Sequence, residues 1–178
     1  DKHSAAFGAM ADLGIHKTDL VQFLIGSRVD EVFSVVSTLD KRNADGTFVE
    51  VDDNAVCIYK MENGVVGTIT VSWTLYGKED NSTILYGTEG CMRIDDDPQY
   101  SIIIEKKDGQ RICYEIDAIQ TNEHQSNSGV IDAWISCLEN NTEPDVDGEE
   151  AFSAMKAVFA SLQSSKEGRS VKVKELYP

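Results

Sequence analysis

Asp12, His16 and Asp19 stand at i, i+4 and i+7 in the stretch GAMADLGIHKTDLVQFLIG, Gly8 to Gly26. At 100° per residue, a helix brings three such positions within an arc of roughly 60°. A carboxylate one turn from an imidazole fixes the ring's tautomer and raises its basicity, the arrangement of a general acid–base pair, and Asp19 is spaced to do so from the other side. The same spacing fits a plainer arrangement, with Asp12 as an N-terminal cap, His16 as a partly exposed surface residue and Asp19 as a solvated charge.

The stretch that positions these residues reads as one helix. Met10, Leu13, Leu20, Val21, Leu24 and Ile25 give it apolar surface to bury, and Gly26 suits the residue that closes a helix in the left-handed conformation. Glu31 to Leu39 follows as a strand, and Asp40 to Val51, with Asn43, Asp45 and Gly46, as a loop. Asn63-Gly64 is the strongest hairpin signal in the chain and joins strands over Asp53 to Met61 and Gly64 to Trp73. In the second of these, Val65, Gly67, Ile69, Val71 and Trp73 form an apolar face opposite Val66, Thr68, Thr70 and Ser72.

Leu75 to Asn81 breaks the alternation. Thr83 to Tyr86 and Cys91 to Ile94 then pair around Gly87-Thr88-Glu89-Gly90, and Tyr100 to Glu105 pairs with Arg111 to Ile116 through Asp108-Gly109. The chain ends in helices over Ser128 to Asn140 and Gly148 to Lys166, with Ser170 to Val173 as an edge strand. Val130, Ile131, Trp134, Ile135 and Leu138 stand at helical spacing, and Ala151, Phe152, Met155, Val158, Phe159 and Leu162 form a second stripe, whose aromatic and Met positions are predicted as core. A run of strands closed by helices indicates an α+β domain on a largely antiparallel open sheet, spanning 1–178 as a single domain.

With 178 residues, 41% of them hydrophobic and 26% charged, the chain is long enough for a proper core. Sixteen basic residues against thirty-one acidic leave a net charge of −15, which argues against nucleic acid, since phosphate binding draws on clustered Lys and Arg. No apolar run reaches the roughly 18 residues of a membrane span. Asp1 to Ala11 does not have the basic end and apolar core of a targeting signal. Cys57, Cys91, Cys113 and Cys137 are widely spaced without a C-x-x-C pair, which predicts buried free thiols in a reducing cytoplasm.

The stretch with Asp12, Gly14, His16 and Asp19, closing at Gly26, resembles the start of the C-terminal domain of the Gfo/Idh/MocA oxidoreductases, the glucose-fructose oxidoreductase and inositol dehydrogenase group. In that family a glycine-rich lead into D-x-G-x-H-x-x-D opens a helix at the substrate pocket. The order of elements extends the resemblance over nearly the whole chain. It implies that Asp12 and His16 line the pocket as catalytic residues, with His16 as proton acceptor or donor and Asp12 as its orienter or as acceptor for a sugar hydroxyl. The resemblance leaves these two roles exchangeable within the family. Asp19 is the third candidate, for substrate binding, and Gly8 and Gly14 would let substrate or cofactor approach the backbone closely.

The resemblance also implies NAD or NADP held by an N-terminal Rossmann domain, whose Glu-Lys-Pro turn supplies a catalytic lysine, and a sugar or polyol as substrate. This chain has no G-x-G-x-x-G after a strand and no P-loop. It does not begin with Met and enters the first helix almost at once, which predicts a domain of a longer polypeptide, inactive by itself. The family's sheet often forms the subunit contact, so a homodimer or homotetramer through the open sheet face is expected.

Two other functions fit some of the same residues. Asp12, His16 and Asp19 together with a loop ligand would make a metal-binding module, though without a signature such as H-E-x-x-H. The outer sheet face of Thr68, Thr70 and Ser72 would serve a noncatalytic oligomerisation domain. Tyr76, which follows the small-residue strand, is a candidate substrate contact by position, with a loop aromatic at a subunit rim as the alternative. His124, in a polar linker, and His3, near the beginning, read as surface histidines.

Overall fold

The Asn63-Gly64 turn closes as its sequence predicts. Gly64 adopts φ +87°, the Met61 N–H donates to the Val65 carbonyl at 2.8 Å, and the Asn63 side chain accepts from the Val65 N–H at 3.2 Å. The structure, a computed structural model, describes residues 7–116, 129–144 and 147–177. His3, His124 and Ser128 lie outside the described residues.

The chain divides into two compact units, Asp1–Leu75 with Thr142–Pro178, and Tyr76–Asn141. In the first, the hairpin strands β2 (Asn54–Met61) and β3 (Val66–Ser72) join β1 (Val29–Ser37) and the short β8 (Val171–Lys172). They form a four-stranded sheet in the order β3-β2-β1-β8, antiparallel throughout. Alternation sorts its two faces. Val32, Ala55, Cys57, Tyr59, Met61, Ile69 and Val71 are buried on one, while Phe33, Val35, Val56, Ile58 and Val66 are exposed on the other.

The inner face carries helix α4 (Gly148–Glu167), whose N-terminus is capped by Asp147 accepting from the Glu149 and Glu150 N–H groups. Its buried side is made of Ser153, Ala154, Ala157, Val158, Ala160, Ser161 and Ser164. The expected stripe of large apolar residues is therefore corrected in part, since Phe152 and Met155 are exposed and Phe159 and Leu162 half-buried. Small side chains let the helix lie close to β1, and serine hydroxyls replace a missing strand. Beyond the two residues paired with β8, the β1 N–H groups of Ser34 and Val36 donate to the Ser164 and Ser165 hydroxyls at 3.0 and 2.9 Å.

The Gly8 to Gly26 stretch forms α1 (Ala9–Asp12) and α2 (Gly14–Ile25) in place of one unbroken helix. Leu13 joins them in right-handed helical conformation, so the chain keeps its direction of winding, and Gly26 closes α2 at φ +63°. The fully buried face of α2 is Gly14, Thr18 and Gln22; Val21 and Ile25 pack against the core as expected, whereas Leu13 is exposed. Buried polar groups need partners, and the Thr18 hydroxyl and the Gln22 carbonyl oxygen have them, while the Gln22 Nε2 is buried without one among the described residues. The Thr18 hydroxyl donates to the Gly14 carbonyl at 2.7 Å and lies 3.1 Å from the Tyr59 hydroxyl. The Gln22 carbonyl oxygen accepts from the Val29 N–H and the Ser153 hydroxyl, both at 3.1 Å. A final helix, α5 (Val173–Leu176), was not anticipated from the sequence.

In the second unit, β4 (Thr83–Gly87), β5 (Gly90–Ile94), β6 (Ile102–Lys106) and β7 (Arg111–Tyr114) make an antiparallel meander. Arg93 on β5 pairs with Asp96 at 2.7 Å and Glu105 at 3.5 Å, and Ile103 is buried. The α+β class with antiparallel sheets is as expected, with the strands distributed over two sheets. Helix α3 (Val130–Asn140) leaves its apolar stripe exposed, Trp134 at 54%.

None of the four cysteines is in a disulfide, and Cys57 alone is buried, Cys91, Cys113 and Cys137 being half-buried. No helix among the described residues is long and apolar enough to cross a membrane.

Candidate functional site

Asp12 is the last residue of α1, and that helix is seated by a single residue of the loop before β2. The Ala9 N–H donates to the Asp52 carbonyl at 2.9 Å and the Met10 N–H to the Asp52 carboxylate at 2.7 Å. An anionic side chain at a helix N-terminus satisfies orphan N–H groups and the helix dipole together. Gly8 makes this contact possible, because a Cβ there would overlap the Asp52 carbonyl and carboxylate.

Asp53 is fully buried and holds the loop after β1. Its carboxylate accepts from the N–H groups of Leu39, Asp40 and Lys41 at 2.7 to 2.8 Å and from the Asn54 amide at 2.7 Å. Burial pushes this carboxyl up, yet the Lys41, Leu39 and Asp40 N–H groups and the Asn54 amide outweigh it and lower its pKa to about 2.

Asp12 is exposed, and its Oδ2 accepts from the Trp73 indole N–H at 3.0 Å. His16 is exposed one turn further on, and no hydrogen bond to its ring occurs among the described residues. Asp19 is half-buried. The structure thus keeps Asp12 and His16 on solvent-facing positions of consecutive helical turns, and the carboxylate is held by an indole rather than by the imidazole. Gly14 is buried, with the space for a Cβ taken by the Met10 sulfur at 2.7 Å. Gly8 and Gly14, expected to admit substrate or cofactor, here admit Asp52 and Met10.

Tyr76 is 72% exposed and belongs to the second unit. The metal-binding alternative loses its geometric basis, since no group of three or more His, Cys, Asp or Glu among the described residues is arranged to hold a metal ion. Two open grooves of about 430 and 370 Å³ lie elsewhere in the first unit, one bordered by Gly8, Thr38 and Asp52 and the other by Phe159, Lys166 and Tyr177. Neither is lined by Asp12, His16 or Asp19.

Sequence reasoning missed Trp73, Asp52 and Asp53 as parts of this site. The consecutive carboxylates directly before an alternating strand were the available signal, as such residues bond nearby backbone N–H groups. Trp73 gave no signal beyond its place on the apolar face of β3.

Residues 1–93, which include Asp12, His16 and Trp73, match the model of the GFO/IDH/MocA C-terminal domain. The chain belongs to the Gfo/Idh/MocA family. Among proteins of known activity, it is 25% identical over 169 residues to the myo-inositol 2-dehydrogenase of Thermotoga maritima, covering 95% of this chain and 50% of that protein. It is 28% identical to the D-apiose dehydrogenase of Paraburkholderia graminis, covering 93% of this chain and 44% of that one. Among solved structures, an oxidoreductase from Agrobacterium radiobacter in complex with NAD+, L-tartaric acid and magnesium superposes with a TM-score of 0.73 at 20% identity, over 94% of this chain and 49% of that chain. The chain spans about half the length of the Gfo/Idh/MocA relatives it matches.

Proposed function

We propose that this chain is the C-terminal, substrate-facing part of an NAD- or NADP-dependent oxidoreductase that interconverts an alcohol and a carbonyl on a sugar or polyol. The observation that carries this reading is the family match over residues 1–93, which include the Asp12 and His16 positions held at the surface by α1 and α2. The relatives named for myo-inositol and D-apiose act on polyhydroxylated substrates, and carboxylate and imidazole groups are suited to ordering the hydroxyls of a substrate of that class.

The start of α1 is not open to the phosphates of a dinucleotide. The N–H groups at the start of α1, the place where an anion would bind, already bond Asp52. The dinucleotide therefore belongs to the rest of the longer polypeptide, and this chain by itself is expected to be inactive. The hydride is the cofactor's part of the reaction and the proton is this chain's. When a carbinol is oxidised, its hydroxyl proton passes to His16, an imidazole being suited to taking and returning it. Asp12 orients that hydroxyl or the ring, and Asp19 and Tyr76 are further substrate contacts.

Assembly is compatible with this activity. Phe33 lies opposite Ile58 and Val35 opposite Val56 across β1 and β2, with Thr68 and Thr70 next in the same rows. These exposed positions give a flat, largely apolar face suited to a second copy.

The test is to assay the intact polypeptide with NAD and with NADP against polyols and aldoses, following formation of the reduced cofactor. Substrate-dependent reduction with at least one sugar or polyol is expected. No turnover of any member of the panel by a folded protein that binds the cofactor overturns the reading.

A further inference from the structure

The hydrogen bond between Trp73 and Asp12 spans 61 residues of sequence, and both of its ends are anchored at the same point of the fold. Asp52 seats α1 through its carbonyl and carboxylate, which places Asp12 one helical turn later. The next residue, Asp53, accepts the Trp73 backbone N–H on its carbonyl at 2.8 Å, while its carboxylate is fixed by three backbone N–H groups. The indole is half-buried and packs against the core of the first unit. A rigid aromatic body thus carries its N–H to an exposed carboxylate whose rotation would otherwise be free.

We propose that Trp73 is a positioning residue for the reaction, orienting the Asp12 carboxylate by holding Oδ2. Indole N–H is a donor with no acceptor capacity, so the oxygen it meets keeps a lone pair directed at it. Oδ1 is then the oxygen left to accept from a substrate hydroxyl or the His16 ring. Fixing one oxygen before substrate arrives removes a rotational freedom that binding would otherwise have to restrict. This role rests on the reading of Asp12 as a catalytic residue.

The experiment is a double-mutant cycle in the intact enzyme with Trp73→Phe, Asp12→Ala and the pair, measuring kcat, KM and cofactor affinity. Trp73→Phe keeps an aromatic ring and removes the donor, and kcat is expected to fall about tenfold, the worth of one hydrogen bond to a charged group, with cofactor affinity unchanged. In the Asp12→Ala background the same substitution is expected to change kcat less than twofold, because its effect passes through the carboxylate. An equal loss in both backgrounds, or no loss in either, overturns the positioning role and leaves the catalytic reading intact. Undiminished turnover in Asp12→Ala alone overturns both. Should Trp73→Phe not fold, Trp73→Leu, which also lacks a donor, is carried through the same cycle under the same criterion.

Discussion

The backbone N–H of Ser34 donates to the hydroxyl of Ser164 at 3.0 Å, across 130 residues of sequence. The Ser164 hydroxyl in turn donates to the Arg169 carbonyl at 2.7 Å. A helix side chain therefore completes the hydrogen bonding of a strand where its two-residue neighbour β8 has ended. Ser164→Ala leaves a buried N–H and a carbonyl without this partner, and a loss of about 1–3 kcal/mol is expected. Urea denaturation measures it, and a midpoint equal to that of the parent protein contradicts the role.

Gly8 and Gly14 are both buried, but they are tight against different neighbours. A Cβ at position 8 meets the backbone and carboxylate of Asp52, whereas one at position 14 meets the flexible end of Met10. Gly8→Ala is expected to cost roughly 2–3 kcal/mol, as for an overpacked site. For Gly14→Ala the strain of moving Met10 is offset by the roughly 1 kcal/mol that alanine gains in a helix, so the net change is expected within about 1 kcal/mol. Melting curves that ranked the two in the opposite order would refute this account of α1.

Asp53 makes stability depend on acid. Its pKa is lowered to about 2, below the ordinary unfolded value of about 3.9. A carboxylate depressed on folding contributes stability that is present in full above the unfolded value and disappears as pH falls through the folded one. The parent protein should therefore lose stability between about pH 4 and pH 2 by a route that Asp53→Asn does not share. At neutral pH the variant should be weaker by on the order of 2 kcal/mol. Parallel stability curves for the two proteins over that range would show that Asp53 does not act this way.

Burial pushes the Cys57 thiol up to about 11, against the pull of the Ser161 hydroxyl, so almost none of it is thiolate at neutral pH. Iodoacetamide should modify half-buried Cys91, Cys113 and Cys137 before Cys57, which should react only on unfolding. Peptide mass spectrometry after a timed exposure distinguishes the sites, and early carbamidomethylation of Cys57 would be inconsistent with the core described.

What could be read in the sequence was mostly local. Asn63-Gly64 and Asp108-Gly109 announce hairpins through their own backbone preferences, and alternation in β2 and β3 separates the buried face from the open one. What could not be read depends on distant partners. The Thr18 hydroxyl and the Gln22 carbonyl oxygen can be buried because Tyr59, Val29 and Ser153 meet them, and apolar periodicity finds the neighbouring Val21 and Ile25 but not these polar residues. Phe152 and Met155 follow the helical period, yet Ala and Ser face β1, where close approach matters more than bulk. Turn signals identify hairpins without saying which hairpins share a sheet. At the site, the residue types and spacing of Asp12 and His16 were visible, while Trp73 and Asp52 reach that region only through the fold.

The most direct test of the central claim is the turnover of His16→Ala in the intact enzyme, with cofactor affinity measured alongside. Loss of a proton-transfer group is expected to lower kcat by about 10²–10⁴-fold with little change in cofactor binding. Turnover equal to that of the parent enzyme would contradict the assignment of His16 and, with it, the proposed site.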